Sequence, residues 1–316
     1  MPAPGFWLSI FAFLMAIWGG GACVPSPAQP VIIFASPDSP RLHQVVAGIK
    51  NGLGEIPLKV VCIPEFGQEG NEILRRLRRE KPPLFIVLGT SALLRLAAVE
   101  KSTPTVFAMV ANPYFSGAAY DPQHPDWHQF NITGIASPAP LQAALDQGVK
   151  LLGPRPWGMI FDPLDGVAVE LADRFVNAAT ASGLPALVEP AGNAANDHEA
   201  LEKLLARGAH IIYLPPTASA TRYAPLLLSW GQAGKVLVVN GHPEVQPEGA
   251  ILSVTLDYVR LGEETARLAL RVLQGEHPRR LPIMELTPLR IVAHETLLRR
   301  WSSYPLSSIN KFPLKN

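Results

Sequence analysis

Polar residues in this sequence gather in short loops, each placed directly after an apolar run. Ser36 and Asp38 follow the run at 31–34. Gly89-Thr90-Ser91 follows 84–88, and Asn112, standing before Pro113, follows 105–110. Further along, Asp162 and Asp165 follow 157–161, Thr217 and Ser219 follow 210–214, and Asn240, Gly241 and His242 follow 236–239. Hydroxyls and amides exchange hydrogen bonds with a small solute, and a carboxylate takes an ammonium. The N–H groups at a helix start take an anion, and a tight glycine turn into a helix at Gly89 makes a ready cradle for one. Each Ser, Thr or Asp is equally suited to capping the next helix, so the loops are binding candidates as a set more than singly.

Catalytic patterns are missing. There is no G-x-S-x-G, no Walker loop and no H-E-x-x-H. His124 and His128 have the four-residue spacing of a helical metal pair, but Pro122 and Pro125 argue against a helix there. The expectation is therefore no enzyme, no cofactor and no metal. Asn131-Ile132-Thr133 fits a glycosylation sequon and reads better as a crossing between lobes. Cys62 lies in the apolar stretch 59–63 and is expected to be a free thiol in a buried strand.

The elements that must position these loops alternate. Strand candidates at 31–34, 58–63, 84–88 and 105–110 are interleaved with helical patterns at 41–53, 69–80 and 91–99. The scheme repeats with strands at 157–161, 186–189, 210–214 and 236–239 and helices at 141–152, 167–181, 198–207 and 223–233. Such alternation predicts parallel sheets covered by helices, and two runs predict two α/β lobes. In such sheets solutes bind beyond the carboxyl ends of the strands, where the polar loops lie. Past Gly249 come a strand at 250–255, a long amphipathic helix at 261–273, a strand at 289–293 and a short helix at 295–301. These are too many for the second lobe alone, so the chain is expected to cross back near 249 and return near 282. The expected first lobe is 31–135 plus about 249–281. The second is 136–248 plus about 282–303, and 304–316 is a tail.

The 316 residues suffice for two such lobes. With 48% hydrophobic and 17% charged residues the chain is globular. A formal charge of +1 gives no electrostatic case for nucleic acid or a polybasic membrane contact. The apolar run 6–18 is too short for a comfortable membrane span and suits a signal peptide over 1–22. Gly20-Gly21-Ala22-Cys23 is similar to a bacterial lipobox, which makes Cys23 a candidate lipidation site. It lacks the usual Leu at the third position before the cysteine, so plain secretion and an uncleaved anchor stay open. Residues 23–30 read as a tether.

Several blocks together resemble the ABC-transporter substrate-binding family of type I periplasmic-binding fold, whose studied members bind aromatic amino acids. They are the segments 84–91 (LFIVLGTS), 103–113 (TPTVFAMVANP), 131–135 (NITGI), 213–215 (YLP) and 256–262 (LDYVRLG). The resemblance runs from about Val31 to about Arg300. It implies two Rossmann-like lobes joined by three crossovers, a monomer, and delivery of a small molecule to a permease and its ATPase. It also implies a periplasmic or envelope location. By position, Thr90 and Ser91 match the loop that holds a ligand carboxylate. Asn112 stands where an Asp often precedes the proline, and Thr217 and Ser219 match the polar loop after the Y-x-P strand. Family members often carry Ser-Asp where this chain has Asn240-Gly241, so the carboxylate that would meet a ligand amino group is missing there. The alternative reading is a sensing or envelope interaction protein of the same fold, not coupled to transport.

Overall fold

The computed structural model describes residues 29–301 and the backbone of 314–315. The signal segment, Cys23, most of the tether and nearly all of the tail lie outside the described residues.

Alternation within the first strands fixes the architecture. In β1 (Val31–Ala35) every residue is buried. Val31, Ile33 and Ala35 join one apolar cluster while Ile32 and Phe34 join another. A strand apolar on both faces must lie inside a sheet covered on both sides. The first sheet supplies that setting. It comprises β1, β2 (Leu58–Cys62), β3 (Phe85–Leu88), β4 (Thr105–Val110) and β5 (Ile132–Ala136). The helices α1 (Pro40–Leu53), α2 (Glu69–Arg79) and α3 (Thr90–Val99) connect them. A 3₁₀ turn at Tyr114–Ser116 follows β4.

The second sheet repeats the pattern. After α4 (Leu141–Leu152) come β6 (Trp157–Phe161), α5 (Gly166–Ala181), β7 (Ala186–Pro190), α6 (Ala194–Ala206), β8 (Ile211–Leu214), α7 (Ala220–Ala233) and β9 (Leu237–Asn240). The chain then adds β10 (Leu252–Leu256), α8 (Tyr258–Leu273), β11 (Met284–Glu285), β12 (Leu289–His294), α9 (Glu295–Trp301) and β13 (Leu314–Lys315). The strand orders are β11-β5-β4-β3-β1-β2 and β13-β12-β10-β9-β8-β6-β7. All pairings are parallel except β10 with β12. The molecule is thus an α/β protein with two mostly parallel sheets flanked by helices.

The crossings fall elsewhere than the sequence predicts. The strand expected to return to the first lobe near 249, β10, instead pairs with β9 and β12. The chain leaves the second sheet only at Asp257, and α8 then packs on α1. It returns after β11, which pairs with β5, so the third crossing is at 286–288 and not near 282. The reason is pairing: β10 fills the edge that β9 would otherwise expose. Asn131-Ile132-Thr133, expected as a crossing, runs into strand β5 (Ile132–Ala136), and the crossing follows it at 137–140. The third crossing touches the end of β5 and the second crossing. Leu286 N–H donates to Ala136 O at 2.9 Å and Asp257 N–H to Pro288 O at 2.7 Å.

Cys62 also departs from expectation, since it is exposed. It ends β2, the outermost strand, which only β1 pairs. An edge strand has no neighbour to cover its outer side chains.

Candidate functional site

The carboxyl ends of the two sheets and the crossings enclose a cleft of ≈ 190 Å³. On α5 the wall residues are Val167, Glu170, Leu171 and Arg174, a spacing that puts all four on one helical face. Thr90, at the start of α3, faces them from the first sheet. Met109 joins it through an irregularity in the sheet. Its φ is 58°, and the β4–β5 register shifts between Phe107 and Val110. Such a bulge re-aims a side chain, here into the cleft. Ser137, Ala139 and Pro140 line it from the first crossing, and Leu256 and Tyr258 from the second.

One ion pair spans the cleft. Arg41 Nε, at the start of α1, donates to Glu244 Oε1 beyond β9 at 2.7 Å. The Arg41 guanidinium also lies beside the Tyr258 hydroxyl, which burial keeps protonated to higher pH.

The predicted site residues separate into three groups. Thr90 lines the cleft directly. Ser36 and Ser91 stand just behind it. Their hydroxyls bond at 2.7 Å, and Ser36 Oγ accepts from Ala92 N–H at 3.2 Å. Gly89 lets this happen: its φ is 93°, and an added Cβ would sit 2.4 Å from Ser36 Oγ. The remaining residues are committed to their own loops. Asp38 is exposed and pairs with His43 at 2.7 Å. Asn112 Oδ1 accepts from Tyr114 N–H. Asp162 takes Leu164 N–H and Arg222 Nη1, both at 2.9 Å, and these hold its carboxyl below the usual range. Asp165 caps α5 through Val167 and Ala168 N–H and accepts from Ser219 Oγ at 2.9 Å. Thr217 is buried, and its hydroxyl meets that of Ser219 at 3.2 Å. Asn240 Oδ1 accepts from His242 N–H at 2.8 Å. His242 Nδ1 accepts from Glu244 N–H, and burial together with nearby Arg41 holds the ring below its ordinary pKa.

The capping and turn-bonding role open to these residues is thus the one that most of them fill. Most follow their strands as turns must, and their side chains satisfy local backbone donors first. The residues that sequence reasoning did not single out are Arg41, Ser137, Glu170, Arg174 and Tyr258. Tyr258 lay in a recognised block. The α5 stripe had no signal beyond helical spacing.

Ser137 Oγ is buried without a hydrogen-bond partner, and so is Tyr213 Oη. Tyr213 lies under the cleft floor: a Cβ added to Gly241, which lines the cleft, would stand 2.2 Å from its hydroxyl. Among the described residues no group of three or more His, Cys, Asp or Glu gathers as metal ligands. His124 instead bonds Asp121 and stacks on Trp127. No helix among the described residues is long and apolar enough to cross a membrane.

Known proteins share this fold. A curated tyrosine-binding protein of Clostridioides difficile is 19% identical over 233 residues, 73% of this chain and 66% of that protein. A ligand-free, open substrate-binding protein with adhesive properties from Clostridium difficile superposes with a TM-score of 0.78 at 15% identity. The match covers 92% of this chain and 99% of that one. A domain from Streptococcus pneumoniae in complex with L-Trp gives 0.67 at 19% identity, covering 90% and 99%. The sequence profile of ABC transporter substrate binding proteins, a family of solute receptors and not of enzymes, matches residues 30–300. Over that span, nearly the whole described chain, the protein belongs to the ABC transporter substrate binding protein family.

Proposed function

We propose that this protein is an extracytoplasmic receptor that captures a small molecule between its lobes and passes it to an ABC permease driven by an ATPase. One observation carries the reading: a cleft is lined by residues at the strand ends of both sheets and by residues of the crossings between them. At ≈ 190 Å³ the cleft is smaller than the ~300–1,000 Å³ of drug-sized sites, which suits a metabolite. Closure on the solute would be a population shift between open and closed forms. The names of the relatives make an aromatic side group the first shape to try. Export through the segment 1–22, anchoring through Cys23 and a monomeric state belong to the same proposal.

The test joins binding with shape. A bound solute should raise the melting temperature of the mature chain with concentration, as ligand linkage requires, and should reduce its radius of gyration in small-angle scattering. Uptake of that solute by cells should fall when the gene is deleted. Binding and compaction with unchanged uptake would favour a sensing role. Absence of any saturable ligand would remove the receptor reading.

A further inference from the structure

We infer that the cleft selects a carboxylic acid with an apolar body and no α-ammonium group, the deaminated counterpart of an amino acid. This rests on the cleft being the binding site proposed above.

The wall is rich in unused donors. The N-cap of α3 is Gly89, which brings no capping side chain. Ser36 Oγ satisfies Ala92 N–H, and the N–H groups of Thr90 and Ser91 have no acceptor among the described residues. A helix start of this kind carries positive potential. Independent of it, the Ser137 hydroxyl is 6% exposed as a residue, lines the cleft and has no partner. Arg174 adds a half-buried guanidinium that makes no hydrogen bond or ion pair among the described residues. A buried donor left unpaired is costly, and a ligand oxygen relieves it.

Among the described residues, carboxylates not already engaged by the protein are missing at the same depth. Arg222 and Leu164 N–H occupy Asp162, the α5 cap and Ser219 occupy Asp165, and Arg41 occupies Glu244. Position 241 is a glycine, and a Cβ there would stand 2.2 Å from Tyr213 Oη, so a side chain at this point would have to displace that ring. Among the described residues that line the cleft, Glu170 is the one carboxylate. It is exposed at the rim, where an ammonium stays hydrated and an ion pair adds little. An α-ammonium lies next to its own carboxylate, so it would face the α3 start and Arg174, both repulsive to it. Met109, Val167, Leu171 and Leu256 give the rest of the ligand an apolar surface.

Isothermal titration of the mature chain tests this with a matched series: 3-phenylpropionate, phenylpyruvate, L-phenylalanine, phenethylamine and 3-phenylpropanamide. The two acids are expected to bind at least tenfold more tightly than L-phenylalanine, and the amine and amide not measurably. Arg174→Gln should weaken the acids at least tenfold, Arg174→Lys less, with melting temperatures near that of the parent. Glu170→Gln should strengthen the acids slightly. L-phenylalanine binding as tightly as the acids, and losing affinity in E170Q, overturns the inference and leaves the receptor intact. Binding of ribose or adenosine with none of the series does the same. If neither the series nor those solutes bind, the receptor reading falls as well.

Discussion

Glu100 shows how much a single side chain can hold together. It closes α3, it is 2% exposed, and its carboxylate accepts from Ser102 and Thr103 N–H, Ser102 Oγ and Arg78 Nε. Burial opposes its ionisation, yet these donors outweigh burial and hold the pKa at about 2. Because the folded value lies below the unfolded one, the stabilisation is complete above the unfolded pKa. It drains away as pH falls from about 4.5 towards 2. Glu100→Gln should therefore cost about 2 kcal/mol at neutral pH, the scale of hydrogen bonds to a charged group. The gap from the parent should narrow at pH 3, as read by urea denaturation at both pH values. An equal gap at both would show that shape, not charge, is what Glu100 supplies. Arg222 does comparable work in the other lobe. It donates to Asp197, which is almost fully buried, to Asp162 and to Ala191 O. Together with Leu164 N–H, the same contacts engage both oxygens of Asp162.

At the scale of elements, the contact of α1 with α8 decides where the second crossing can sit. An added Cβ on Gly48 would meet Val259 O at 2.0 Å, and one on Gly262 would meet Val45 O at 2.1 Å. The two backbones touch because neither position has a side chain. Gly262→Ala should destabilise the protein by about 1–3 kcal/mol through overpacking. That lowers the melting temperature by about 2–4 °C per kcal/mol, and calorimetry reads it. An unchanged melting temperature would mean the helices part freely. Asp257 caps α8 through Arg260 N–H, so the same helix fixes the exit from β10. The edge strand β2 makes a second prediction. Cys62 is exposed, although partial burial and the nearby Asp38 carboxylate raise its pKa. Iodoacetamide should alkylate it in the folded protein, slowly at pH 7 and faster at pH 9, as peptide mass mapping would show. Protection until unfolding would restore the buried strand that its apolar neighbours suggest.

For the whole molecule, Arg41–Glu244 is the contact that opposes separation of the lobes. Its side chains are 35% and 29% exposed, so the pair contributes about 0–1 kcal/mol. Glu244→Gln should therefore shift the open–closed balance by no more than about fivefold. The apparent solute affinity should drop by the same factor. In 1 M salt the parent should approach the variant, since screening shortens to about 3 Å. Scattering and titration in parallel would show both. An affinity loss without a change in shape would make Arg41 a ligand contact and not a tie between lobes.

Within the sequence, alternation did most of the work: apolar runs such as 31–35 and 84–88 leave a strand no choice but the inside of a covered sheet. Two series of strand, polar loop and helix therefore carried the two-sheet class, and the ordered blocks carried the family. The side of each strand end, and so the general location of the cleft, follows from the same rule. Local order could not say which polar groups are free. Asp162, Asp165, Asn240 and His242 stand in polar loops, and only the fold shows that Arg222, Ser219 and the neighbouring N–H groups bond to them. The partners of Asp162 and Asp165 include residues more than fifty positions away. Nor could it place the crossings, because β10 belongs with β9 only when the open sheet edge is in view. Arg174 and Ser137 gain meaning in the same way. An unpaired cation or hydroxyl is defined by what the fold fails to bring near it, and that is settled only in three dimensions.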